Sequence, residues 1–316
     1  KKYSYLEILN IEKEDIFYND IKFFEKITDS LRKKRIKEGS LNFEIPESEI
    51  IINKDGNPKS IKPKKIVKSH HLVEELMLLA NRIIAKEFGK EFKGFPFRNH
   101  DTPKEIDISD IRQTLIQSSL PKNIKQKLMN KNIKLHSMLK LISGLKVERL
   151  FSQLALRAMP KANYSPKNNG HFGLGFEYYC HFTSPIRRYP DLIVHRFLKS
   201  KIRGYNLKLE DANFIAKECS KSEVIAMNAE RDYVKRKQLR FLNNYIGDTF
   251  NGIISGLNTR GLFVQLDEIL VDGFVSLKSL TDDYYIFNSS KFLFRGRRYK
   301  NEYHIGNQVE IKVLNV

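Results

Sequence analysis

The densest run of chemically capable side chains in the 316 residues lies between His171 and His195. Its centre reads Thr183-Ser184-Pro185-Ile186-Arg187-Arg188-Tyr189-Pro190-Asp191, two adjacent guanidinium groups held between two prolines. Proline fixes its own φ and restricts the residue before it, so such a loop has few conformations. It presents its cations in a pre-set direction, ahead of a helix expected to start near Asp191. A planar guanidinium can take two phosphoryl oxygens at once and can stabilise charge that grows on them during in-line displacement. The fork suits a phosphate. The other reading is that Arg187 and Arg188 pair with carboxylates of the fold.

Further chemically capable residues are sparser. Cys180 and Cys219 are the only cysteines and form no C-x-x-C, and the eight histidines include no His-x-x-x-His, so zinc is not expected. His100-Asp101 looks like a catalytic pair, but an Asp just before a helix start reads better as a cap or turn. Asp107 with Asp110 is too sparse for a metal cluster. Asp282-Asp283 reads as a surface turn before Tyr284.

The elements that must position these groups can be read from periodicity. Tyr5 to Arg35 is expected to be helical, with Leu6, Leu9, Ile21, Phe24, Ile27 and Leu31 at three- and four-residue spacings. Leu41–Ile45 and Glu49–Asn53 read as strands, and Asp55-Gly56-Asn57-Pro58 is a turn before Ile61. Leu72–Phe88 is the most regular helix, its apolar face formed by Leu72, Val73, Leu76, Met77, Ala80, Ile83 and Ile84. After a short strand at Phe95–Arg98, Thr102-Pro103-Lys104-Glu105 reads as N-cap, N1 proline and capping-box Glu. Ser220-Lys221-Ser222-Glu223 reads as a second capping box, opening a helix to about Tyr245. Gly247 marks the expected domain boundary. Beyond it, Phe250–Ile254, Gly261–Leu266, Gly273–Leu277 and Val309–Val313 form a small β-barrel pattern.

Composition narrows the partner. Apolar residues make up 41% of the chain, enough for a buried core in about two domains, and 56 Lys and Arg against 37 acidic residues give a net charge of +19. Such an excess raises the local concentration of polyanions, which makes nucleic acid the leading partner, although single runs such as Lys62–Lys65 read equally as solvated faces. No stretch approaches the ~20 apolar residues of a membrane helix, so no membrane partner is expected. Two unpaired thiols suit a reducing cytoplasm. Because the sequence opens on Lys1-Lys2, its first residues are expected to be internal to a longer protein.

The run from His171-Phe172-Gly173-Leu174 through Tyr179-Cys180-His181-Phe182 and Thr183–Asp191 to His195 resembles the signature of the RNase II/RNase R (RNB) family of 3′-to-5′ exoribonucleases, nearer its RNase R branch. Cys180 stands where the family usually has another small residue. The resemblance implies that Arg187 stabilises the transition state at the scissile phosphate and that Arg188 positions RNA. It extends over the chain. Tyr3-Ser4-Tyr5 resembles a segment whose tyrosine contacts the 3′-terminal nucleotides, Gly39–Phe43 one whose Phe43 stacks on the last base, and Leu72–Glu75 a helix start whose Glu75 reads ribose hydroxyls. Glu230 resembles a further carboxylate near the bound 3′ end. Without the family, Tyr5 and Phe43 read as core aromatics.

From Ile246 onward the sequence is similar to the S1 RNA-binding domain, an OB-type barrel of five strands. Arg260 and Phe263 stand on the expected RNA face, where barrel-core packing of Phe250 and Phe263 is the alternative, and Arg295, Arg297, Arg298 and Lys300 suit sequence-independent phosphate contacts. The expected fold class is therefore α+β: residues 1–245 the mostly helical remainder of an RNB catalytic domain with short strands, and 246–316 an S1 barrel lacking its last strand. The resemblance implies hydrolysis of RNA to nucleoside 5′-monophosphates with Mg²⁺, whose aspartate ligands are expected upstream of residue 1. Single-stranded RNA 3′ ends are the expected partner, and no obligate protein partner is evident. Two other readings remain: a non-catalytic RNA-binding fragment or degenerate relative lacking the metal-binding aspartates, and a ribosome-associated OB-fold protein.

Overall fold

The structure, a computed structural model, describes residues 2–41, 43, 47–64, 66–118, 120–145, 147–288 and 293–316. In chain order the elements are α1 (Tyr5–Leu9), α2 (Tyr18–Lys37), β1 (Ser48–Ile52), β2 (Pro58–Pro63), α3 (Lys68–Phe88), β3 (Phe97–Asn99), α4 (Glu105–Gln117), α5 (Lys122–Leu128), α6 (Leu135–Ile142), α7 (Glu148–Ala158) and β4 (Asn163–Ser165). There follow α8 (Tyr189–Ile202), α9 (Ala212–Leu242), β5 (Thr249–Asn258), β6 (Gly261–Leu266), β7 (Asp272–Ser276), β8 (Tyr285–Asn288), β9 (Leu293–Gly296), β10 (Glu302–His304) and β11 (Gln308–Lys312). This is an α+β chain.

It divides into two compact units, each drawn from separate stretches. The first comprises Lys1–Asn42, Ile66–Thr102 and Met159–Met227; the second comprises Phe43–Lys65, Pro103–Ala158 and Asn228–Val316. In the first unit, Ala85 of α3, Phe95, Phe97, Cys180 and the inner face of α8 (Ile193, Val194, Phe197) form one core. The β3–β4 pair, with Arg98 opposite Tyr164, lies beside the signature segment, where Phe97 also bridges to Cys180. The second unit contains a four-stranded sheet ordered β11-β5-β6-β7 and a three-stranded antiparallel sheet ordered β10-β9-β8. Leu266, Ile269, Val271 and Val313 pack there with Leu242 and Ile61.

Several expectations are corrected. Tyr5 to Arg35 is two helices, because Asp15 in the intervening loop accepts from the Tyr3 hydroxyl (2.7 Å) and the Phe17 N–H (3.0 Å), bonds that compete with a helical backbone. The strand expected at Leu41–Ile45 lies outside the described residues except for Leu41 and Phe43, neither of them in a strand. The hairpin is instead β1–β2, closed by the turn at Asn53–Asn57. In α3 the buried positions are Ser69, Glu75, Leu78, Asn81 and Ala85, not the expected apolar stripe, since the three polar side chains find partners. Helix α4 begins at Glu105 without a side-chain cap; Glu105 and Asp107 in its first turn favour the positive end of the helix dipole. Helix α9 begins at Ala212, so Ser220 is interior. Its hydroxyl donates back to the Ala216 carbonyl (2.8 Å) and accepts from the Tyr164 N–H (2.9 Å). The three-stranded sheet β8–β10 was not expected at all.

Candidate phosphate site and nucleic-acid contacts

The signature loop is built around Asp191. This carboxylate is fully buried in the first turn of α8 and accepts from the Ser184 N–H (2.8 Å), Arg188 Nε (2.9 Å) and Arg188 Nη2 (2.8 Å). The Arg187 and Arg188 N–H groups both donate to the Ser184 carbonyl, which closes the turn. The two arginines therefore have different fates. Arg188 is a structural ion pair with one guanidinium edge committed, and only its Nη1 side remains for a phosphate. Arg187 is exposed and, among the described residues, has no carboxylate partner. It is the free cation of the pair.

Arg187 opens into a groove of about 600 Å³, walled by Tyr164, Tyr189, Phe214, Glu218, Cys219 and Glu223. The wall is braced from behind. Arg98 binds Glu223 through two contacts (2.5 and 3.1 Å) and lies 4.7 Å over the Tyr164 ring. Burial raises the Tyr164 hydroxyl above its ordinary value, so it keeps its proton, and it is hydrogen-bonded to His181 Nδ1 at 2.7 Å. Burial, helped by Arg188 and Arg98, drives His181 down to about 2, so the ring stays neutral. His171 is likewise driven down to about 3 by burial, then by His100 and Arg98, and stacks on His100 at 5.1 Å. His100 Nδ1 accepts from the Gly173 N–H (3.1 Å), which fixes His100 as a scaffold residue. Cys180 is buried and its thiol is pushed up by desolvation.

Asn81 is the scaffold residue that sequence reasoning missed. Its amide donates to the Tyr179 hydroxyl (3.1 Å), its oxygen accepts from the Phe182 N–H (3.0 Å), and its carbonyl accepts from Cys180 Sγ (3.3 Å). One buried side chain on α3 thus holds the segment just before the arginine loop. An Asn inside an apolar helical stripe was the available signal.

The other candidates fall in both units. Tyr5, in the first, is exposed and stacked on His70 with centroids 3.9 Å apart. Glu75 is 3% exposed and holds Arg35 through both oxygens, Nε at 3.3 Å and Nη2 closer, while Arg32 stands 3.7 Å away. A ribose hydroxyl reaches that carboxylate only if Arg35 yields a bond. In the second unit Phe43 is half-buried, Glu230 is exposed on α9, and Arg260 is exposed in the β5–β6 turn. Phe263 is 38% exposed and lies across the strand pair from Phe274, which is 51% exposed, with centroids 5.3 Å apart. Gly261 lets the strands close there, since a Cβ on it would stand 2.1 Å from the Val275 carbonyl. Phe263 therefore faces solvent with a second ring beside it, whereas Phe250 packs on the barrel core. Phe274 was missed; strand register alone would have paired it with Phe263.

Among the described residues no group of three or more His, Cys, Asp or Glu could hold a metal ion. These residues do not fit the divalent site the resemblance calls for. What they offer chemically is one free guanidinium on a fixed turn beside aromatic rings.

Residues 5–204 match the RNB domain family, and residues 245–316 match the S1 RNA binding domain. The chain is similar to Ribonuclease R of Aquifex aeolicus, 36% identical over 306 residues, which cover 94% of this chain and 42% of that protein. Among solved structures it resembles Mycoplasma genitalium RNase R in complex with ribose-methylated single-stranded RNA, with a TM-score of 0.84 at 27% identity. That match covers 98% of this chain and 50% of the other. The same protein in complex with double-stranded RNA matches with a TM-score of 0.72 at 25% identity, over 86% of this chain and 50% of that one. The chain spans half or less of the length of these relatives.

Proposed function

The chain belongs to the RNB family, and from that premise we propose that it is part of a 3′-to-5′ exoribonuclease that hydrolyses RNA to nucleoside 5′-monophosphates. The observation that carries this reading is Arg187: an unpaired guanidinium on a turn that Asp191 and Arg188 hold still. A donor fixed before the substrate arrives costs no reorganisation when charge grows on a phosphoryl oxygen. In the proposal Arg187 meets the scissile phosphate and Arg188 offers its remaining Nη1 side to a neighbouring one. Tyr5, Phe43 and the Phe263–Phe274 pair take bases by stacking, which suits single-stranded RNA because every base has a π-face. Glu230 and Arg260 contact the strand near them, and Glu75 reads ribose only through exchange with Arg35. The Mg²⁺ that such hydrolysis calls for is assigned to residues outside this sequence. We keep the division into residues 1–245 and 246–316, supported by where the two family matches fall.

The test is Arg187→Ala in the whole enzyme. Turnover is expected to fall by roughly 10² to 10³ while RNA affinity stays within a few-fold, as for a group used mainly in the transition state. Equal loss of affinity with unchanged turnover would refute the role.

A further inference from the structure

The sheet β8-β9-β10, inserted between β7 and β11, ends in a turn, Gly296–Asn301, whose shape is set by backbone contacts. Asp283 accepts from the Arg298 N–H with both oxygens (2.9 and 3.0 Å), from the Tyr299 N–H (2.7 Å) and from the Tyr284 N–H (2.7 Å). The Arg297 N–H donates to the Tyr284 carbonyl (2.9 Å) and the Gly296 N–H to the Asn301 carbonyl (2.8 Å). Gly296 is required for this arrangement, because a Cβ there would stand 2.3 Å from Asp283 Oδ2. Lys300 adopts φ +61° and donates to the Arg297 carbonyl (2.8 Å), which closes the turn.

With the backbone satisfied, the side chains of Arg297, Arg298 and Tyr299 are left to solvent. Tyr299 is 57% exposed, and the Arg298 guanidinium lies 5.1 Å over its ring. Arg295, by contrast, is 3.5 Å from Glu302. Among the described residues neither Arg297 nor Arg298 has a carboxylate partner. Two guanidinium groups without a carboxylate partner, one of them over an open ring, on a turn already ordered, lose little entropy on meeting a polyanion. The N–H groups of Gly296, Arg297, Arg298 and Tyr299 are used within the fold, which argues against addition of a peptide strand here.

We propose that this turn is a separate RNA-contact surface, in which Arg297 and Arg298 take backbone phosphates of single-stranded RNA and Tyr299 stacks an unpaired base. It rests on the RNA reading above but uses none of the residues assigned there. Phosphates carry no base identity, so its contribution is independent of sequence. Neutralised phosphates release counterions, and for single strands the slope of log affinity against log salt falls by about 0.7 per contact.

The experiment measures binding of a labelled, mixed-sequence single-stranded RNA across a salt series for the chain and for Arg297→Gln/Arg298→Gln, which keeps the side-chain stems and the clamp. The salt slope is expected to shrink by about 1.4, with affinity lower by about tenfold at low salt. Tyr299→Ala is expected to weaken binding several-fold with the slope unchanged, since stacking releases no counterions. An unchanged slope in the double variant overturns the proposal. So does a variant that keeps its RNA slope but loses binding to phosphatidylserine vesicles, which would make the turn a lipid contact. If Arg187→Ala behaves as a turnover variant while the double variant binds normally, this inference falls and the catalytic reading stands.

Discussion

Two loops of this chain present arginines from a turn fixed by one aspartate, and they do so by opposite means. In the first unit Asp191 binds one backbone N–H and one edge of Arg188, Nε and Nη2, so one arginine is largely consumed in holding the turn. In the second unit Asp283 binds three backbone N–H groups and no side chain, so both of its arginines stay free. The first arrangement fixes a single cation in one direction, which suits a reacting phosphate. The second leaves a broader, less directed field, which suits a strand passing by. The difference lies in where the aspartate's lone pairs go.

The strongest way to break this comparison is to remove Asp191. Asp191→Ala leaves Arg188 without its buried partner and frees the Ser184 N–H, and a loss of roughly 3 to 5 kcal/mol in unfolding free energy is expected. Arg187→Ala, at an exposed and unpaired site, should change stability by no more than about 0.5 kcal/mol. Urea unfolding of both variants checks the pair. Similar losses from the two would mean that Arg187 is also structural.

Acid provides a second test, centred on the first unit. His171 and His181 are buried neutral with folded values near 3 and 2, while an unfolded histidine titrates near 6.5. Below pH 6.5 the unfolded chain therefore binds protons that the folded chain refuses. Stability is complete above that pH and falls as pH drops toward the folded values, by about 1.4 kcal/mol per pH unit for each histidine. Because the unfolded rings are only half protonated at pH 6.5, lowering the pH from 6.5 to 5.5 should cost about 2 kcal/mol from the two together. Hydrogen exchange in α8, corrected for intrinsic rates, should accelerate over that interval, and constant protection would show that the ring stack opens without unfolding.

Asp283→Asn probes the other loop and should have a smaller effect. The amide keeps one oxygen acceptor and loses the second together with the charge, so a measurable loss of stability, smaller than that of Asp191→Ala, is expected. Fast exchange should appear at the Arg298 and Tyr299 amides. If those amides stay protected, the turn is held by its carbonyl contacts instead.

What could be read from the sequence follows the same division between side-chain and backbone roles. The arginine loop was legible because prolines and guanidinium groups carry their chemistry in their identity. The split between Arg187 and Arg188 was not, because the sequence left both readings open; the structure pairs Arg188 with Asp191 and gives Arg187 no carboxylate partner among the described residues. Strands β6, β7 and β11 were found nearly to the residue, since one face alternates into a core. Helices were mistaken where polar side chains found partners through tertiary contacts: Glu75 and Asn81 sit on the buried face of α3, and Ser220 and Glu223 serve Tyr164 and Arg98 rather than capping a helix. Asp283 was correctly a turn residue. Its three N–H bonds come from residues up to sixteen positions away and leave no local trace.

The smallest effect expected concerns the paired rings of the second unit, and it separates stacking from charge. Phe263 lies across the ladder from Phe274, and both rings face solvent while Leu262, Val264 and Leu266 on the same strand point into the core. Removing an exposed ring should cost the fold little. If the pair takes an RNA base, Phe274→Ala should weaken single-stranded RNA binding by about 1 kcal/mol, several-fold in affinity, at the low end of base–aromatic stacking because one ring remains. No charge is removed, so the salt dependence should be unchanged, in contrast to Arg297→Gln/Arg298→Gln. Equal binding by Phe274→Ala and the unaltered chain, with the barrel still folded by circular dichroism, would mean that the rings only shield one another. Stacking in this unit would then rest on other rings.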